Sequence, residues 1–210
     1  RSGNTAYGNA CSTHVNLGVA STTGQIEAND KYTTISGGRN NVARGNYATV
    51  SGGINNNANI VGASVGGGQA NTASGSSSTV AGGQSNTASG MRSSVAGGVN
   101  NVASNNVAVV GGGEQNTSSG NYSAITGGYN NTASGYYSVV AGGYSNVASS
   151  SEAFVGSGYS NNASGSYSAI ASGNGNTASG DNSFVGSGYN NNASGSYIAI
   201  ASGNGNAASV

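Results

Sequence analysis

Two side chains near the N-terminus are of the types that do chemistry. Cys11 and His14 are the single cysteine and the single histidine of the chain, three residues apart. A thiol beside an imidazole can serve as nucleophile and base, or as half of a tetrahedral metal site. No acid and no second ligand pair stands near them, so the pair reads as part of a capping segment. The run Gly111-Gly112-Gly113 has the suppleness of a phosphate loop, but no Gly-Lys-Ser or Gly-Lys-Thr follows, and Lys31 is the only lysine. Calcium-binding β-rolls repeat an aspartate in their glycine-rich turns, whereas Asp30 and Asp181 are isolated. These residues imply no enzymatic activity, no cofactor and no metal.

The other side chains able to meet a ligand are tyrosines and asparagines, and both recur at fixed intervals. Placing the second glycine of each Gly-Gly or Ser-Gly pair at phase zero gives Gly38, Gly53, Gly68, Gly83, Gly98, Gly113, Gly128, Gly143, Gly158, Gly173, Gly188 and Gly203, spaced by fifteen without interruption. Tyrosine falls at +1 in Tyr129, Tyr144, Tyr159 and Tyr189, and at +9 in Tyr32, Tyr47, Tyr122, Tyr137, Tyr167 and Tyr197. Such columns can stack on one another and keep their hydroxyls in water, or grip a sugar or a host protein. Acceptor triplets for N-glycosylation occur at Asn116, Asn121, Asn130, Asn162 and Asn192, as an asparagine-rich chain produces by chance.

At +3 there is always asparagine: Asn41, Asn56, Asn71, Asn86, Asn101, Asn116, Asn131, Asn146, Asn161, Asn176, Asn191 and Asn206. At +5 stands alanine, as in Ala43, Ala73, Ala133 and Ala193, with Ser118 the one exception. At +12 lies a β-branched apolar residue: Val50, Val65, Val80, Val95, Val110, Ile125, Val140, Val155, Ile170, Val185 and Ile200. A weaker copy is visible in Ala28, Tyr32 and Ile35, while residues 1–22 do not fit and read as a cap or leader before a repeat domain spanning 23–210.

A period this short holds neither a helix pair nor a propeller blade, but it suits one coil of a β-solenoid with two short strands and two tight turns. The alternation predicts that +3 and +5 share the inner face of one strand, and that a small residue at +10 and the Val or Ile at +12 share the inner face of the next. The fold class expected is therefore all-β, a parallel β-roll of about twelve 15-residue coils, roughly 58 Å long at ~4.8 Å per strand. The asparagines are expected to form a ladder in which each amide bonds to the next coil. Glycines at phase zero and at +7 (Gly75, Gly90, Gly135, Gly165) are expected to supply positive φ at the corners.

Composition agrees with order by regularity. Five Lys/Arg balance five Asp/Glu in 210 residues, with 39 Gly and no Pro. There is no basic stripe for nucleic acid, no apolar run long enough to span a membrane, and no signal segment at Arg1, which fits a processed chain or an excised fragment. Because Ala and Ser bury little area, one chain is thinly stabilised, and the outward +11 row offers a remedy. That row holds Val109, Ala124, Val139, Phe154, Ala169, Phe184 and Ala199 without a charge, and Val109, Val139, Phe154 and Phe184 are the candidate contacts of a homo-oligomer.

The runs Ala133-Ser134-Gly135-Tyr136-Tyr137-Ser138, Ser138-Val139-Val140-Ala141-Gly142 and Asn146-Val147-Ala148 resemble the head repeats of YadA-like trimeric autotransporter adhesins. The resemblance spans residues ~32 to 210. It departs from that family in a repeat about one residue longer, and in showing no neck, stalk or membrane anchor. It implies a left-handed parallel β-roll, association into trimers, and an extracellular or cell-surface location with a multivalent, non-enzymatic binding surface for host matrix protein or glycan. Avidity would then compensate for weak single contacts.

Two further functions fit the same repeats. A filament subunit would stack end to end through the strand edge at Val210, residues 158–187 nearly recurring from 188 onward. An ice-binding face would use Thr72-Ala-Ser74, Thr87-Ala-Ser89, Thr117-Ser-Ser119, Thr132-Ala-Ser134 and Thr177-Ala-Ser179, although Val102, Val147, Asn162 and Asn192 break that array. All three require β coils, so far-UV circular dichroism of the chain is expected to show strand without helix; a helical or unstructured spectrum removes them together.

Overall fold

The computed structural model describes residues 15–23 and 32–209. Cys11, His14, Ala28, Asp30, Lys31 and Val210 lie outside the described residues. The chain is all-β: a parallel solenoid of about twelve coils of ~15 residues, in which each regular element is a strand of two residues. It divides into two compact units, Arg1–Ser104 and Asn105–Val210.

Within the first unit, one parallel sheet is built from Val15–Asn16, Thr34–Ile35, Thr49–Val50, Ser64–Val65, Thr79–Val80 and Ser94–Val95. The other contains Thr22–Thr23, Val42–Ala43, Asn57–Ala58, Thr72–Ala73, Thr87–Ala88 and Val102–Ala103. Pairing thus reaches into the stretch expected to be a cap. There Ser21 stands where later coils have asparagine, and its Oγ accepts the Asn41 N–H at 3.1 Å across a sequence separation of 20. A ladder needs a backbone and one small acceptor, and Ser21 supplies that without the fifteen-residue motif.

The second unit repeats the plan. One sheet runs through Val109–Val110, Ala124–Ile125, Val139–Val140, Phe154–Val155, Ala169–Ile170, Phe184–Val185 and Ala199–Ile200. The other runs through Thr117–Ser118, Thr132–Ala133, Val147–Ala148, Asn162–Ala163, Thr177–Ala178, Asn192–Ala193 and Ala207–Ala208. Register is one coil per rung, as in Val139↔Phe154 and Thr132↔Val147. A third column, absent from the two-strand expectation, pairs the +1 residues through single bridges: Glu114↔Tyr129↔Tyr144↔Tyr159↔Asn174↔Tyr189↔Asn204.

Two-residue strands bury one side chain and show the other to the outside. In each strand from Val42–Ala43 to Asn192–Ala193 the second residue is inside. Val50, Val65, Val80, Val95, Val110, Val140, Val155, Ile170 and Val185 are fully buried, Ile125 is 1% exposed and Ile200 8%. Each buried Val or Ile contributes about 1.5–3 kcal/mol, beside inward Ala and Ser that add less. Ser118 is accommodated because its Oγ lies 2.6 Å from Ser123 Oγ and donates to Ser123 O at 3.0 Å.

The asparagines at +3 close each coil onto the next. Asn146 Nδ2 donates to Gly142 O in its own coil at 2.9 Å and to Gly158 O in the following one at 2.9 Å. Its Oδ1 accepts the Asn161 backbone N–H at 3.0 Å. In the first unit Asn41, Asn56, Asn71 and Asn86 make the same three contacts, and Asn101 donates to Gly97 O. In the second unit Asn116, Asn131, Asn161, Asn176 and Asn191 continue the pattern. Asn206 is exposed, taking only Ser202 O for its amide. The ladder therefore runs mainly from side chain to backbone; direct amide-to-amide bonds join Asn131 to Asn116, Asn161 to Asn146, Asn176 to Asn161 and Asn191 to Asn176.

Glycine at phase zero is required twice over. Gly143 has φ 91°, and a Cβ there would collide with Gly158 O and sit 2.6 Å from the Asn146 amide nitrogen. Four +7 glycines differ from expectation: Gly75, Gly90, Gly135 and Gly165 do not have positive φ, whereas Gly45, at the same phase, does (84°). What they provide is close approach, since a Cβ at Gly135 would overlap the carbonyl of Ser150. Positive φ falls instead at +2 and +9, on non-glycine residues such as Ser145 (53°), Tyr137 (55°) and Val107 (55°). The left-handed residue turns its N–H back to the previous coil, as Tyr137 N–H does to Asn121 O at 3.0 Å, whereas strand N–H groups point forward, as Val139 does to Ala153 O at 2.9 Å.

Truncating one ladder rung isolates its worth. Asn146→Ala leaves the Asn161 N–H and the Gly158 carbonyl short of a buried partner, and is expected to lower unfolding free energy by roughly 3 kcal/mol in urea denaturation. Asn206→Ala, with no buried partner to strand, is expected to change it little.

Candidate functional site

The outward side chains form parallel columns because every coil places the same phase at the same point. In the +1 column Tyr129 and Tyr144 stack with ring centroids 5.0 Å apart and planes at 13°, and Tyr144 and Tyr159 at 4.9 Å and 5°. Centroid spacing equals the strand spacing, so the ladder itself sets the stack. At Asn174 the column is interrupted, and Tyr189 follows on the next coil, half exposed.

In the +9 column Tyr122 and Tyr137 stack at 4.9 Å and 21°, and in the first unit Tyr32 and Tyr47 at 5.2 Å and 14°. Glu152 and Asn182 separate Tyr137, Tyr167 and Tyr197 from one another. Tyr197 is the most open aromatic, at 82% exposure. These rings project from left-handed backbone positions, with φ between 55° and 64° for Tyr47, Tyr122, Tyr137, Tyr167 and Tyr197.

Column phases alone do not reveal Tyr136. It sits one residue before the +9 phase, yet meets Tyr137 edge-on at 4.3 Å and Tyr122 at 5.8 Å, making a three-ring cluster. The Tyr136-Tyr137 doublet in the sequence was its only signal. The Tyr137 hydroxyl is pushed above its ordinary ionisation range, first by the Tyr136 hydroxyl beside it, then by partial desolvation and the Glu152 carboxylate.

The +11 row of the second unit presents Val109, Phe154 and Phe184 to solvent, at 39%, 39% and 41% exposure, with Val139 half-buried between them. Around it charge is scarce and of one sign. Residues 105–210 carry Glu114, Glu152 and Asp181 and no Lys, Arg or His, all five cationic side chains lying in the first unit's sequence. Asp181 accepts the Ser166 N–H at 3.0 Å.

Asn116 is buried in the ladder, so that acceptor triplet is closed to a glycan, whereas Asn130, Asn162 and Asn192 are exposed. Among the described residues no three His, Cys, Asp or Glu side chains group in a way that could hold a metal ion, and no helix is long and apolar enough to cross a membrane. Cys11 and His14, the two side chains with catalytic or metal-binding chemistry in the sequence, lie outside the described residues. No protein-family model matches the chain, and no curated protein matches it.

Replacing Tyr136 by Phe is expected to bring Tyr137 ionisation down towards the ordinary value of 10.0. Alkaline titration of tyrosinate absorbance, comparing the variant with the parent chain, reads this directly; an unchanged curve shows that Tyr136 is not the cause.

Proposed function

We propose that the protein is a non-enzymatic extracellular surface protein, an adhesin head or fibre segment that presents one weak contact many times over. The observation that supports this most is the repetition of outward chemistry in the second unit. The four coils from Gly113 to Gly158, and again the coil from Gly188, offer an exposed tyrosine at +1 or +9 together with an uncharged apolar residue at +11, on a backbone whose ladder fixes their spacing. A rigid array of identical small contacts gains from avidity, whereas catalysis needs unlike groups gathered at one point.

The +11 row is the surface by which copies of the chain associate in this reading, as a homotrimer. Val109, Val139, Phe154 and Phe184 bring apolar area with no charge to be desolvated. The tyrosine columns, on other edges of the same coils, remain for the host matrix protein or glycan.

A second reading, a structural filament subunit, rests on the sameness of successive coils. Each presents the next with the same asparagine acceptor and glycine carbonyl, so one coil can seat on another of any copy. Electron microscopy separates the two, through discrete short particles or long fibres.

Sedimentation equilibrium tests the leading proposal. A trimer mass is expected for the parent chain, and Phe154→Asp with Phe184→Asp is expected to weaken association by about tenfold or more. Beads coated with the trimer should adhere to extracellular matrix. A monomer mass together with no adhesion overturns the proposal.

A further inference from the structure

The coil that begins at Gly173 carries asparagine at both aromatic phases, and tyrosine stands on the coil before and the coil after in each column. Asn174 lies between Tyr159 and Tyr189 in the bridge register, and Asn182 between Tyr167 and Tyr197. We propose that these two gaps are binding slots for a neutral, gluco-configured pyranose of a β-linked glycan. The proposal rests on the surface-binding reading above and names its ligand class.

Uninterrupted columns cannot bind this way. Tyr144 has both faces covered, by Tyr129 at 5.0 Å and Tyr159 at 4.9 Å, leaving ring edge and hydroxyl to a ligand. Where asparagine replaces tyrosine, one ring is missing from the stack. Tyr159 then has one face against Tyr144 and the other towards the Asn174 rung, beyond which Tyr189 begins. Two strand spacings come to about 9.5 Å. That height admits one saturated six-membered ring whose mid-plane lies about 4–5 Å from each aromatic ring, the range of ordinary carbon–carbon contact. Tyr159 and Tyr189 are each 50% exposed, and Asn174 between them is exposed too.

The +9 gap has the same register, though Glu152 and not a ring precedes Tyr167 and Tyr197 is the more open wall, at 82% exposure. Tyr167, Asn182 and Tyr197 have φ of 58°, 56° and 62°, so all three side chains leave the backbone from one conformation. Each slot thus has aromatic walls and a floor whose amide offers two donors and one acceptor to ring hydroxyls.

The walls select the sugar. A pyranose held on both faces must show C–H groups on both, as the all-equatorial gluco configuration does. An axial hydroxyl would be driven against an aromatic ring without a partner. Charge selects further: the unit holds Glu114, Glu152 and Asp181 and no cation, so a sulfated or carboxylated sugar finds no counter-charge and meets repulsion. Asp181 directly precedes Asn182, which makes the second slot the more averse to anions.

Isothermal titration calorimetry of the full chain with cellohexaose, chitohexaose and a heparin hexasaccharide tests this. Saturable binding of at least one neutral probe is expected, with none of the heparin probe. Asn174→Tyr combined with Asn182→Tyr continues both stacks through the gaps, and is expected to weaken binding by about tenfold or more while thermal stability is kept or raised. Met91→Ala, exposed in the first unit and outside both slots, is expected to leave affinity unchanged. Undiminished affinity in the doubly filled variant, stronger binding of heparin than of the neutral probes, or no saturable neutral binding overturns the slots. Matrix adhesion of coated beads, run in parallel, tells the two ideas apart: adhesion without saccharide binding removes the slots and leaves the surface function standing, while absence of adhesion with saccharide binding intact removes only the adhesin reading.

Discussion

Each coil buries a primary amide, and everything else in the fold accommodates that fact. A carboxamide shut away from water is costly unless both its donor hydrogens and its oxygen are engaged. The asparagine column answers by spending each amide on backbone groups of its own coil and of the next. The phase-zero glycine follows from this, because any Cβ would occupy the space of the amide nitrogen. So does the fixed length of the coil, since a residue more or less would move the glycine carbonyl out of reach. The interior can then be lean, one Val or Ile with Ala and Ser, because polar contacts along the column complement modest apolar burial.

Much of this was legible in the sequence because one period repeats with no insertion from Gly38 onward. Repetition turns a weak local pattern into a strong one: Asn at +3, Ala at +5 and Val or Ile at +12 each mark an inner face. The backbone was less legible. The left-handed positions at +2 and +9 carry Asn or Gly in many coils, as at Asn40, Asn130 and Gly175, types that favour this conformation, but elsewhere Ser, Gln, Arg, Tyr, Glu and even the β-branched Val107, so residue type marks the phase only in part. They persist because their N–H groups turn back to the preceding coil, a tertiary bond that outweighs local preference. Apart from Gly45, the +7 glycines misled for the complementary reason, their need being space against a neighbouring carbonyl and not a φ angle.

The outer surface was legible as columns and not as contacts. Phase alone aligned Tyr129, Tyr144 and Tyr159, and ring spacing followed from strand spacing. Side-to-side meetings, such as Tyr136 against Tyr122, depend on rotamers that spacing does not encode. Interruptions carry as much information as the columns. Asn174 and Asn182 break both tyrosine columns in a single coil, and that coincidence is invisible unless both phases are followed together.

The direction of the ladder bonds also governs how the second unit answers to force. Its strands are linked to their neighbours by bonds that run from coil to coil, so tension applied between its two ends opens them in succession and does not shear them in parallel. Each detached coil would free fifteen residues of slack and expose a fresh rung identical to the last. Extension would therefore proceed at a nearly constant, low load, as in a shock absorber, and retraction would re-register coil by coil on the template still standing.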